Sequence, residues 1–248
     1  MNRLAKRMRL DKMLAHLGFG TRSQLKKLVR EGVVMVNGEV VTDSSIHVDP
    51  EEDVIQVWEE EVKYIQHLYL MLNKPAGYIS ATYDPVDSTV LDLVPKEYAH
   101  FNLFPVGRLD KDAVGLLLLT NDGKLAHRLT SPRHHVPKRY FVRVEGRVTE
   151  REARKFAEGF RLDGEEDITL PAQLVILSQG DVSEAEVTIT EGKYHQIKRM
   201  FQACGMKVLY LKRISMGPLR LDPHLEEGEI RPLTEDEMND LREAASGG

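Results

Sequence analysis

Hydrophobic residues recur at helical spacing near the start of the chain, where Leu10, Met13, Leu14 and Leu17 share one face before Gly18 and Gly20 stop the run. Thr21 or Ser23 can cap a second helix, whose apolar positions are Leu25, Leu28 and Val29. After Gly32 the period changes from helix to strand. "VVMVNGEVV" alternates around Asn37-Gly38, a pair suited to a two-residue hairpin, and "DVIQV" follows as a further strand. Helix, turn, helix and hairpin make one unit over residues 1–60, and the polar, aperiodic stretch over 61–67 reads as a linker.

From residue 68 the pattern is rich in strands: "LYLMLNKPAG", "FPVGRLD", "GLLLLTNDG", "KRYFVRVEG", "QLVILSQ", "EAEVTITEG" and "KVLYLKRISMGPLRL". Helices are expected in "GKLAHRLTSP", in "REARKFAEGF" with Thr149 as its cap, and in "YHQIKRMFQACG", which Gly205 ends. An excess of strands with helices packed on them predicts an α+β domain over 68–240, built on a mainly antiparallel mixed sheet. Thr234 and Glu237 stand at capping-box spacing and open a last surface helix, which is expected to fray into a flexible end over 241–248.

Four consecutive leucines, Leu116 to Leu119, predict a strand buried on both faces, closed by the turn Asn121-Asp122-Gly123. Directly before it stands a charged loop with Arg108, Asp110, Lys111 and Asp112. A loop fixed at the edge of a rigid core is where a catalytic group gains most, because a displacement of about 1 Å can cost orders of magnitude in rate.

Charge placement sharpens this picture. The net charge of −5 hides a strong asymmetry: residues 1–30 carry nine Lys or Arg against one acid, whereas residues 31–61 carry ten acids and no Lys or Arg. Residues 124–144 and 192–221 add six and seven basic residues without an acid. Three basic blocks in an acidic chain point to a shaped positive surface, the footprint of a nucleic-acid binder. No apolar run reaches the roughly 18 to 20 residues of a membrane span, and no signal-peptide core follows the basic start, so a cytoplasmic location is expected. The lone Cys204 cannot form an internal disulfide and reads as a small core residue in a reducing compartment.

The stretch from "MRLDKML" to "DVIQV" resembles the RNA-binding module shared by a small-subunit ribosomal protein, tyrosyl-tRNA synthetases and several RNA-modifying enzymes. That resemblance implies RNA contacts at Arg9, Lys12, Arg22, Ser23, Lys26, Lys27 and Arg30, with Asn37 and Gly38 in the loop near them. Further along, "NKPAG", "GRLDKDAVGLLLLTNDG", "KRYFVRVEG" and "EGKYHQIKRMF", in that order, resemble the motifs of the pseudouridine synthases that modify ribosomal RNA. The likeness extends through "TSPRHH" and "RPLTEDEM" and is closest to the branch acting on small-subunit rRNA, the RsuA type.

The family resemblance makes Asp110 the catalytic carboxylate that detaches uracil from ribose and reattaches it through carbon. Attack on the sugar, attack on the base and elimination all remain open. Lys198 is implied as the partner that keeps Asp110 ionised, in a position where many relatives carry Arg. Tyr140 is implied to stack on the target base and assist proton transfer, Arg108 to fill the space left by the flipped-out nucleotide, and Leu219 to close the base pocket. Arg133, Lys138 and Arg199 are further candidate RNA contacts. No cofactor or metal is implied. Ribosomal RNA is the expected partner, within a small-subunit assembly intermediate, and the enzyme is expected to be monomeric and not membrane-bound.

Rival readings start from the same residues. Asp110 and Asp112 could bind magnesium, but no Gly-rich phosphate loop accompanies them. His127, His134 and His135 have no Cys partner nearby, which disfavours zinc, and His195 reads as a structural or RNA-contacting residue. The same chemistry on large-subunit rRNA, and a non-catalytic rRNA-binding assembly protein, are the alternatives. Against the latter, a pure binder has no need of a carboxylate in a basic cleft.

Overall fold

A computed structural model describes residues 7–164 and 167–246; Arg3 and Lys6 of the first basic block lie outside them. The chain divides into two compact units, residues 1–68 with 95–102, and residues 69–94 with 103–248.

In the first unit, β1 (Met8–Arg9) leads into α1 (Leu10–His16) and α2 (Arg22–Arg30), followed by β2 (Val34–Val36), β3 (Glu39–Val40), β4 (His47–Val48), β5 (Ile55–Val57) and β6 (Glu60–Glu61). The strands form a sheet in the order β3-β2-β5-β6, beside a β1-β4 pair. Leu10, Met13 and Leu14 of α1 and Leu25 and Val29 of α2 are buried with Val34, Val48, Ile55 and Val57. Full burial contributes about 1.5–3 kcal/mol for each large aliphatic side chain. Thr21 caps α2, and with Gln24 it forms a reciprocal capping box. Asn37 and Gly38 both have positive φ, as the mirror-image turn of a tight hairpin requires.

The stretch read as a linker is part of this unit. Val62 and Tyr64 pack against its core, and His16 Nε2 lies 3.0 Å from the Ile65 carbonyl oxygen. Two partly buried side chains in an otherwise polar run leave no periodicity to read. Residues 95–102 also fold with this unit rather than with the second domain, and Phe101 is buried edge-on to the His16 ring.

The second unit contains β7 (Tyr69–Lys74), β8 (Phe104–Pro105), β9 (Val114–Thr120), β10 (Lys138–Glu145), β11 (Gln173–Ser178), β12 (Val182–Ile189), β13 (Val208–Met216), β14 (Leu219–Arg220) and β15 (Ile230–Pro232). Its helices are α3 (Gly123–Thr130), α4 (Glu150–Glu158), α5 (Gln196–Ala203) and α6 (Glu235–Ser246). The sheet runs β11-β12-β10-β13-β9-β7-β15, with β14 paired to β13 and β8 to β9. Among these pairings only β9 with β13 is parallel. At that junction Gly115 stands opposite Arg213 with φ +100, and a Cβ there would lie 2.3 Å from the Arg213 carbonyl oxygen. Any side chain at Gly115 would therefore push β9 and β13 apart.

β9 is buried along its whole length, as the leucine run predicts. Leu116 and Leu118 join Met71, Leu125, Leu129 and Met216 in one core cluster, while Leu117 and Leu119, by alternation, face the other side and are equally buried. Part of the expected flexible end is helical: α6 continues to Ser246, and Leu241 is fully buried in the same cluster, while residues 247–248 of that stretch lie outside the described residues. An apolar anchor in a run of acids is weak as a sequence signal, but it holds the helix to the domain. Among the described residues no helix is long and apolar enough to cross a membrane.

Candidate active site

Two side-chain hooks fix the loop before β9. Lys74, at the end of β7 and with no exposed surface, donates from Nζ to the carbonyl oxygens of Pro75, Asp110, Lys111 and Ala113, the last at 2.7 Å. Ser80 accepts from the Leu109 amide and donates to the Leu109 carbonyl, both at 3.0 Å. Backbone on either side of Asp110 is thus pinned by side chains that approach from another segment. Burial pushes the Lys74 ammonium down to about 8, with Asp112 and Asp110 acting in the opposite direction.

The Asp110 carboxylate lies at the edge of a cleft of about 670 Å³. Lys198 Nζ, on α5, donates to Asp110 Oδ2 at 2.8 Å and to Asp112 Oδ1 at 2.6 Å. His195 Nε2 stands 3.6 Å from the other oxygen, Asp110 Oδ1. The ammonium therefore holds one oxygen of Asp110 and leaves the other toward the imidazole, where a guanidinium fork could have taken both. Burial pulls Lys198 down, but its hydrogen bonds to Asp110 and Asp112 outweigh this and its pKa stands above the ordinary lysine value. Asp112, desolvated yet bonded to Lys198, ends below the usual carboxylate range.

His195 adopts a left-handed backbone, φ 48, at the start of α5, a conformation that costs of order 1–3 kcal/mol for a non-glycine residue. The turn is clamped from both sides: Gln196 accepts from the Lys193 amide, and its own amide donates to Glu191. Exposed Tyr194 stacks on the His195 ring with centroids 3.9 Å apart.

Tyr140, on β10, lines the same cleft with Ile189, Ile197, Leu211 and Met216, which together form an apolar wall. Arg108 lines the cleft as an exposed side chain. Asp110, Lys198 and His195 thus meet beside a cleft shared by Tyr140 and Arg108.

Other predicted residues lie elsewhere. Leu219 is not in the cleft wall: it pairs with Met216 across the β13-β14 hairpin and is buried in the core with Leu116 and Leu241. The leucine that lines the cleft is Leu211, eight positions earlier on β13. Lys138 is buried in the cleft lining with Nζ on the Val136 carbonyl, so it is not a surface contact. Arg199 donates to the carbonyls of Tyr194 and Asp163, while Arg133 is exposed.

In the first unit Lys12, Arg22, Ser23, Lys26, Lys27 and Arg30 are exposed. Arg9 instead forms a two-bond pair with buried Asp11, at 2.6 and 3.0 Å. Both polar atoms of the Asn37 side chain are engaged within the unit, by Asp53 and the Val54 amide. Two of the basic residues in the 124–144 block, Arg139 and Arg143, pair with Glu186 and Glu184 of β12. Cys204 ends α5 half-buried rather than in the core, and burial pushes its thiol up. Among the described residues no three His, Cys, Asp or Glu side chains gather as a metal site would require.

Sequence reasoning missed Lys74 and Arg213. Both are buried cations, and Arg213 lines the cleft with Nε donating to the Leu116 carbonyl at 2.7 Å.

Residues 68–203 match the family described as RNA pseudouridylate synthase, and residues 8–55 match the S4 domain. The chain is 47% identical to an uncharacterized RNA pseudouridine synthase of Bacillus subtilis, over 95% of this chain and 99% of the relative. It is 42% identical to ribosomal small subunit pseudouridine synthase A of Escherichia coli K12, over 93% of this chain and 98% of the relative. A crystal structure of a pseudouridylate synthase, 42% identical, superposes with a TM-score of 0.66 over 94% of this chain and 99% of that one.

Proposed function

The chain belongs to the RNA pseudouridylate synthase family, and from that premise we propose that it isomerises one uridine of small-subunit ribosomal RNA, with Asp110 as the catalytic carboxylate. The reaction exchanges one bond for another. The N1–C1′ bond of uridine breaks, a C5–C1′ bond forms, a proton leaves C5 and one is gained at N1, with no net change in atoms or electrons. An ionised aspartate can drive this by attack on the sugar, by attack on the base, or by drawing off a proton in an elimination.

The observation that carries the reading is the setting of Asp110. One oxygen is held by Lys198 at 2.8 Å, the loop backbone is locked by Lys74 and Ser80, and an apolar wall with Tyr140 lies beside it. Such a wall suits a flat base, with the Tyr140 ring as stacking surface and its hydroxyl as a proton donor or acceptor. A base reaches the cleft only by leaving its stack, at a cost of a few kcal/mol, and Arg108 is placed to take its position in the RNA.

The exposed basic residues of α1 and α2 supply backbone contacts that orient the RNA without selecting the base. Replacing Lys26 and Arg30 together with alanine is expected to weaken RNA binding and to reduce the salt dependence of log K by roughly 0.7–0.9 per lost phosphate contact. Turnover at saturating RNA stays unchanged; filter binding across a salt series, beside single-turnover rates, checks both.

The substrate assignment rests on relatives named for the small subunit. We place the enzyme in the cytoplasm as a monomer that meets its RNA in a partly assembled small subunit. Pseudouridine mapping on unmodified small- and large-subunit transcripts and on assembly intermediates tests this. One new site in small-subunit rRNA is expected. A site in large-subunit rRNA would overturn the substrate, and binding without any new site would favour a non-catalytic assembly protein.

A further inference from the structure

Arg213 is a buried cation of the cleft wall with one guanidinium nitrogen that has no hydrogen-bond partner among the described residues. It is 1% exposed, its Nε is bonded to the Leu116 carbonyl, and its Nη2 has no partner. No carboxylate among the described residues forms an ion pair with it. A buried N–H without an acceptor costs about 1–3 kcal/mol, more for a charged group, so the fold keeps this donor unsatisfied at a cost.

Its position narrows what could satisfy it. Arg213 stands directly opposite Tyr140 in the β10-β13 ladder, and residues paired in this way have Cβ atoms about 4.5–5.5 Å apart on the same face. Arg213 therefore stands beside Tyr140 in the wall of the same cleft. Leu211 and Met216 line the same cleft, so the wall around Arg213 is largely apolar, with the buried Lys138 ammonium turned to the Val136 carbonyl. A backbone phosphate would remain near the mouth, where Arg108 and Lys111 are exposed. A planar base that enters the cleft and carries a carbonyl edge fits the donor.

We propose that Arg213 donates through Nη2 to a carbonyl oxygen of the target uracil and stabilises the charge that the base acquires as the glycosidic bond breaks, an inference that rests on the role of Asp110 and Tyr140 given above. When N1–C1′ breaks with its electron pair on the base, negative charge spreads to O2 and O4. It is neutralised once C5–C1′ has formed, C5 has lost its proton and N1 has gained one. A donor fixed before the reaction by Nε on Leu116 needs no reorganisation when that charge appears, and removal of one such donor typically costs about 10²–10³ in rate.

The test uses RNA in which the mapped uridine is replaced by 2-thiouridine or 4-thiouridine, each weakening one carbonyl as an acceptor. Single-turnover rates are measured for the wild type, for Arg213→Gln and for Arg213→Lys. We expect one of the two thio substitutions to slow the wild type. Arg213→Gln should lower the rate on ordinary RNA by about 10² while RNA affinity holds. In that variant the thio penalty should vanish, which a merely structural role would not produce. Arg213→Lys, which keeps the buried charge but cannot serve both Leu116 and the base, should show the same loss of the thio penalty if the glutamine variant does not fold. A wild-type rate indifferent to both thio substitutions, or thio and variant effects that simply multiply, would overturn the proposal. Failure of the wild type on ordinary uridine would instead strike the reading beneath it.

Discussion

Asp110→Asn is expected to abolish pseudouridine formation, with a fall in the single-turnover rate of order 10⁴ or more, the scale seen when a reacting group is removed from a preorganised site. RNA affinity should be kept or slightly improved, because the substitution takes a negative charge from a cleft that receives a polyanion. The shape of the site survives: an asparagine can still accept from Lys198, and the Lys74 and Ser80 hooks hold backbone rather than the carboxylate. Quenched-flow turnover alongside filter binding separates the two effects. Turnover within tenfold of the wild type would show that the chemistry lies elsewhere.

Lys74→Met gives the second large effect, and it acts without touching substrate. The ammonium ties the carbonyls of Asp110, Lys111 and Ala113, and loss of that tie lets the carboxylate drift. A displacement of about 1 Å can cost roughly 10²-fold in rate, so kcat should fall by about that factor with RNA affinity little changed. A pH signature distinguishes this role. Lys74 has a folded-state pKa of about 8, against 10.5 for an ordinary lysine. Between these values the unfolded chain keeps a proton that the folded protein has shed, so this group makes stability rise with pH across that window. Turnover moves the other way, because a neutral amine has fewer donors for the same carbonyls. Wild-type kcat should decline above about pH 8 while the melting temperature gains from this group, and Lys74→Met should lose both dependences. Lys198 is raised above its ordinary value and Asp112 lowered below its own, so neither titrates there. A variant with wild-type kcat and pH profile would remove Lys74 from the account.

What the chain discloses before folding depends on how local the signal is. Caps, hairpin turn and the doubly buried strand are legible because each is set by residues close in sequence: Thr21 with Gln24, Asn37 with Gly38, and the leucine run with its closing turn. Asp110 and Lys198 are legible through motif resemblance, and the geometry brings them to 2.8 Å across 88 positions. The buried hooks are hidden for the opposite reason. Lys74 and Arg213 bond to backbone carbonyls of distant segments, and a carbonyl leaves no mark in a sequence. The place of Leu219 is not legible either: the hairpin at Gly217 turns it into the core, while Leu211 on the preceding strand lines the cleft. Within the stretches expected as linker and flexible end, Val62 with Tyr64 and Leu241 are apolar anchors too sparse among charges to form a readable pattern.

The central claim, that this chain makes pseudouridine in ribosomal RNA through Asp110, is tested most directly in cells lacking the gene and complemented with either the wild-type or the Asp110→Asn chain. Site-resolved mapping of total rRNA should show one small-subunit pseudouridine missing from the deletion, restored by the wild type and absent with Asp110→Asn. Restoration by Asp110→Asn, or a pseudouridine pattern unchanged by the deletion, would contradict the account.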